Sequence, residues 1–101
     1  MKPAAFHPEA EAEFDDAADY YESQEVGLGS SFQNEVEEKI WLIRQTPDRW
    51  MAVGTLGAQK ISLKRFPYSL YYFNQEERIW IIAVAHKKRR PFYWQSRVQG
   101  N

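Results

Sequence analysis

The sequence predicts an α+β fold in which an N-terminal α-helical hairpin packs on a small antiparallel β-sheet, with a basic and aromatic C-terminal tail. Three observations predict it. Apolar residues recur at helical spacing through the first half, the pattern changes to period two after Ala58, and turn residues separate the aromatic-rich segments that follow. The 101 residues can enclose one hydrophobic core, so residues 1–101 are read as a single domain. A content of 44% hydrophobic residues, with Trp41, Trp50, Trp80 and Trp94 among them, is enough to order so short a chain.

His7-Pro8-Glu9 reads as a helix start, because proline is tolerated at the first helical position and early carboxylates suit the positive end of the helix dipole. The first helix is expected from Pro8 to about Glu25, with Ala10, Phe14, Ala17, Ala18 and Tyr21 on one face and Glu11, Asp15, Asp16, Asp19 and Glu22 on the other. Gly27-Leu28-Gly29 ends it. Ser30 with Gln33 offers a capping box for a second helix running to about Gln45, whose apolar stripe is Phe32, Val36, Ile40 and Ile43. Thr46 to Ala58 shows no sustained period and reads as a connecting loop.

Gln59 to Phe66 alternates Lys60, Ser62 and Lys64 with Ile61, Leu63 and Arg65, as a strand does. Pro67 turns the chain into a strand from Tyr68 to Phe73, Asn74 to Glu77 is a polar turn, and Arg78 to His86 is a third strand of an antiparallel meander. Because Ile79 to Ala85 is apolar on both faces, that strand is expected to lie centrally, under the helices on one side and partly covered on the other. Ala4 to Phe6 is a candidate short edge strand, a position that Pro3 suits.

Charge is divided along the chain. Residues 1–50 hold 12 acidic and 4 basic side chains, whereas residues 51–101 hold 2 acidic and 9 basic, so nets of −8 and +7 make up the total of −1. The second half is where an anionic partner would bind, unless the two halves only complement each other within the fold. There is no cysteine and only His7 and His86, so neither a disulfide nor a protein-bound zinc is expected, and no cofactor is implied. The charged stretch directly after Pro3 is unlike an export signal or a membrane span, which makes the cytoplasm the expected location.

The candidate functional residues lie at the end of the last strand and in the tail. His86-Lys87-Lys88-Arg89-Arg90 is followed by Pro91, Phe92, Tyr93, Trp94 and Arg97. Guanidinium groups pair with phosphate oxygens and flat rings stack on bases, so such interleaving suits phosphate and base contact. For Arg89, Arg90 and Tyr93 that reading stands beside a solvated strand end, while Phe92 and Trp94 are read as folding back onto the core. His86 is a residue type that serves as general acid or base, yet without a paired carboxylate nearby in sequence it reads as a hydrogen-bonded strand end. Lys60, Lys64 and Arg65 form a second basic group that could line an anion groove, or simply the wet face of a sheet.

The order of elements, with Phe6-His7-Pro8-Glu9-Ala10, Gly27-Leu28-Gly29 before Phe32, Arg65-Phe66-Pro67-Tyr68, and Ala83-Val84-Ala85-His86 leading to Arg97, resembles the RelE/ParE toxin family of type II toxin–antitoxin systems over nearly the whole chain. The resemblance implies a toxin held inactive by a cognate, ParD-like antitoxin. It also implies one of two activities. ParE-like members act on DNA gyrase; RelE-like members are ribosome-dependent endoribonucleases that cut mRNA without metal. In the ribonuclease pattern Lys60 matches a strand lysine, Lys87 falls where an arginine is usual, and Tyr93 matches the C-terminal tyrosine; these three would be the catalytic residues. Ser62 and Ser69 stand where two cations would be expected, which leaves metal-free cleavage under-equipped. The expected function is therefore a ParE-like, gyrase-inhibiting toxin that is not an enzyme, with the mRNA endoribonuclease as alternative and a nucleic-acid-binding module as a third reading. Its target-binding residues would be Lys60, Lys64, Arg65, His86, Lys87, Arg89, Arg90, Tyr93 and Arg97.

Overall fold

A computed structural model describes residues 1–99, apart from the side chain of Gln99. Strand β1 (Ala4–Phe6) leads into helix α1 (Pro8–Gln24), whose first turn is capped by the His7 imidazole: Glu9 N–H donates to His7 Nδ1 at 3.0 Å. Ala10, Ala17 and Ala18 are buried, and Phe14 and Tyr21 pack beside them, as the spacing predicts.

Helix α2 (Leu28–Gln45) starts two residues before Ser30, so the expected capping box does not form. Its opening amides are satisfied across the hairpin instead. Glu22 of α1 accepts hydrogen bonds from Gly27 N at 2.9 Å and Gly29 N at 3.0 Å. Gly29 also permits the close approach of the two helices, because a Cβ there would come within 2.5 Å of the Ala18 carbonyl oxygen.

The segment read as a loop holds a 3-10 turn (Pro47–Arg49) and a strand, β2 (Met51–Val53), which pairs antiparallel with β3 (Ala58–Ser62). β3 is shorter than expected. After Ser62 the chain turns, and the Glu35 carboxylate of α2 accepts from Lys64 N and Arg65 N at 2.5 and 3.1 Å. Arg65 therefore does not alternate inward with Ile61 and Leu63; it is exposed, with its guanidinium over the Phe66 ring.

β4 (Tyr68–Asn74) and β5 (Ile79–His86) complete a five-stranded sheet in the order β1-β5-β4-β3-β2. The sheet is mixed and not wholly antiparallel, since β1 runs parallel to β5 at the edge. Its register skips Ile82: Tyr71 opposes Ala83 and Tyr72 opposes Ile81. This bulge turns Ile82 and Ala83 towards the same side, so β5 presents Ile79, Ile81 and Val84 to the helices and Ile82, Ala83 and Ala85 to the other face. There the tail covers it, with Trp94 only 2% exposed ahead of a short helix, α3 (Gln95–Gln99). Phe92, in contrast, is 44% exposed at a left-handed φ of 59°, not folded into the core.

Candidate anion-binding cleft

The sheet face opposite the helical hairpin carries an open cleft of about 500 Å³. β3 supplies Lys60 and Ser62, β4 supplies Ser69 and Tyr71, and β5 ends in it with His86. Lys87, Arg89, Arg90, Phe92 and Tyr93 form the wall that follows. No acidic side chain is among the lining residues, so the cleft favours an anion.

Strand alternation explains how these residues meet. Ser62 opposes Ser69, and Ser69 opposes Ala85, so a row of small side chains crosses three strands and leaves room above it. Ser62 Oγ and Ser69 Oγ lie 2.9 Å apart and hydrogen-bond to each other. Lys60 reaches the cleft over the Tyr71 ring, 5.8 Å from its centroid. Beyond β5 the chain is turned by Lys87 N donating to Pro67 O and Arg89 N donating to His86 O, and Lys88 N donates to His86 Nδ1 at 3.0 Å. That bond occupies one imidazole nitrogen of His86, which also sits edge-on to Tyr68.

The cleft thus gathers Lys60, His86, Lys87, Arg89, Arg90 and Tyr93. Lys64 and Arg65 stand apart in the turn clamped by Glu35, and Arg97 lies behind the wall with its side chain 7% exposed. Arg97 is held by Glu13, a residue that sequence reasoning missed. Its Nη1 and Nη2 donate to Glu13 Oε1 and Oε2 at 2.9 and 2.8 Å, a two-pronged pair. Tyr93 donates its hydroxyl to Glu13 Oε2 at 2.6 Å, and the Arg89 guanidinium stacks 3.7 Å above the Tyr93 ring. The available signal was spacing: Glu13 falls within the Ala10, Phe14, Ala17 stripe, and a carboxylate on a buried face needs partners.

The electrostatics follow from that arrangement. Burial pushes the Glu13 carboxyl up, but the hydrogen bonds from Arg97, Tyr93 and Val84 N outweigh it and hold the pKa below its ordinary value. Burial, then the hydrogen bond to Glu13, raise the Tyr93 phenol well above the usual tyrosine range. Among the described residues no three His, Asp or Glu side chains converge to hold a metal ion.

The fold itself, a helical hairpin on one face of a mixed five-stranded sheet, is shared with solved structures. The fold matches a structure of the chromosomal ParDE TA system from P. aeruginosa with a TM-score of 0.68 at 18% identity, covering 85% of this chain and 96% of that one. It matches the isolated E. coli RelE toxin with a TM-score of 0.66 at 19% identity, covering 100% of both chains. Residues 4–91 match the family model described as the ParE toxin of type II toxin-antitoxin system, parDE, and the chain belongs to that family. A search of curated proteins returns no match. Membership implies a cognate antitoxin as partner. Among the described residues no helix is long and apolar enough to cross a membrane.

Proposed function

We propose that this ParE-type toxin arrests growth in the cytoplasm by inhibiting DNA gyrase, with the basic cleft as its target-engaging surface, and that its antitoxin neutralises it. The neutral cleft floor carries this reading. Where the ribonuclease pattern places two cations, Ser62 and Ser69 satisfy each other with one hydrogen bond and offer no positive charge to a scissile phosphate. Tyr93 adds to the argument, since its hydroxyl proton is engaged by Glu13 and its phenol resists ionisation, so it is poorly set to act as a base.

The ribonuclease reading keeps one specific support, the meeting of Lys60, Lys87 and Tyr93 on a single cleft. Purified toxin separates the two. Inhibition of gyrase supercoiling, with filamentation and a DNA-damage response on induction, is the expected result. Codon-positioned mRNA cuts in a translating extract, lost in Lys60→Ala or Tyr93→Phe while supercoiling proceeds, would overturn it. Co-expression with the adjacent reading frame should yield a stable complex and restore growth. The antitoxin segment is expected to be acidic, because the surface it must silence is cationic.

A further inference from the structure

We infer that Glu13 on α1 is a positioning residue that fixes the basic loop Lys87–Pro91 and so sets the toxin's grip on its target. The inference rests on the cleft being the target-engaging surface, but its structural half can be tested without that assumption.

The geometry begins at the edge of the sheet. β1 ends at Phe6, and its last exchange with β5 is His7 N donating to Ile81 O at 2.8 Å. Farther along β5 no strand among the described residues covers the outer edge, yet backbone groups there still need partners. Arg97 Nη1 donates to Ile82 O at 2.9 Å, and Val84 N donates to Glu13 Oε1 at 3.0 Å. The Glu13–Arg97 ion pair therefore stands in for the missing length of strand, one partner coming from α1 and the other from α3.

This pair also closes the loop. Lys87 is tied at one end by its N–H to Pro67 O, and Tyr93 is tied at the other by its hydroxyl to Glu13. Arg89 sits between, 3.8 Å from Glu13 and over the Tyr93 ring, so the same carboxylate aims one of the cleft's cations. Glu13 itself does not line the cleft. Its effect there passes through Tyr93, Arg89 and Arg97.

Glu13→Gln removes the charge and replaces one acceptor oxygen by an NH2 group that faces the Arg97 guanidinium. The Tyr93 hydroxyl can turn to accept from it, but the guanidinium has only donors, so the two-pronged pair opens and the network loosens. Trp94 stays buried, which keeps the tail attached. Trypsin should then cleave after Lys87, Lys88 or Arg89 about tenfold faster than in the wild type, as expected when a local opening becomes easier. Elution from heparin should need no less salt, since no cation is lost. The toxin concentration giving half inhibition of gyrase supercoiling should rise at least about tenfold, and growth arrest should weaken in parallel. Tyr93→Phe, which removes one hydroxyl bond and keeps the ring, should shift trypsin cleavage and arrest in the same direction by less. It serves as the test if Glu13→Gln fails to fold. Wild-type trypsin rates in the folded variants would overturn the positioning role, as would faster cleavage with undiminished arrest. A wild-type toxin that arrests growth but leaves gyrase untouched would sink the gyrase reading alone, and the trypsin and arrest comparisons would still decide the role of Glu13.

Discussion

The two faces of the sheet are covered by different means. On the helical side, Phe32 packs with the rings of Phe14, Tyr21, Phe66 and Tyr68, and both helices contribute to one continuous core with Leu70, Tyr72, Ile79 and Ile81. On the cleft side the sheet offers mainly Ala58, Ile82, Ala83 and Ala85, and the largest buried side chain over them is Trp94 from the tail. One face is secured by many independent contacts. The other is closed by a smaller cluster, in which Tyr71 and Phe73 of the sheet pack on the Trp94 indole of the tail beside one buried ion pair. It can therefore loosen while the first remains folded, and it is the face that carries the cations.

This contrast sets the largest expected effects. Phe32→Ala should destabilise the whole domain by about 4 kcal/mol, because it empties the point where α1, α2 and β4 meet. Trp94→Ala should cost about 3 kcal/mol, at the lower end for a buried aromatic, because the tail can detach and limit the loss. Thermal unfolding measures both. Equal losses would mean that the two faces fold as one unit and the contrast fails. Phe92→Ala, at an exposed neighbouring position, should change stability by no more than about 0.5 kcal/mol.

A smaller effect appears on acidification. In the fold the Glu13 carboxyl titrates below its ordinary value of 4.5, so in this region the unfolded chain binds the proton more readily than the native one. The stability Glu13 contributes is present above about pH 4.5 and is lost as pH falls through its lowered folded value. Denaturant midpoints from pH 6 downwards should fall less steeply in Glu13→Gln than in the wild type. Parallel acid limbs would show that Glu13 is solvated in solution. Tyr93 acts at the opposite end: its raised pKa means that its contribution holds below about pH 10 and declines above it.

Much of this molecule was legible in the sequence where a period was long enough to read. Both helices, the three longer strands and the burial of Trp94 follow from spacing and residue type. β2 did not, because it has three residues and two of them are exposed, which leaves no alternation to detect. The start of α2 was misplaced because its amides are satisfied by Glu22 from the preceding helix, a contact that local capping rules do not see. The cleft was half legible. Lys60 and the cations after β5 lie where strand ends bring them, whereas Lys64 and Arg65 leave the sheet because Glu35, some thirty residues earlier, binds their amides. Glu13, Tyr93 and Arg97 form their network across more than 80 residues, which pattern alone cannot place.

A small expected effect on stability is the most informative about function. Arg90 is exposed on the cleft wall and makes no ion pair within the described residues, and Arg89 is half-exposed, with its guanidinium over the Tyr93 ring and a loose 3.8 Å approach to Glu13. A loose pair and a ring contact made by a half-exposed cation contribute about 1 kcal/mol together, so Arg89→Ala with Arg90→Ala should leave the melting temperature within a few degrees of the wild type. The same double substitution removes two of the positive charges facing an anionic target. It should abolish growth arrest and let the protein leave heparin at lower salt, where Glu13→Gln weakens arrest without that change. A double variant that unfolds several kilocalories more easily would make the wall part of the core. One that keeps its fold and still arrests growth would move the target-engaging surface away from the cleft altogether.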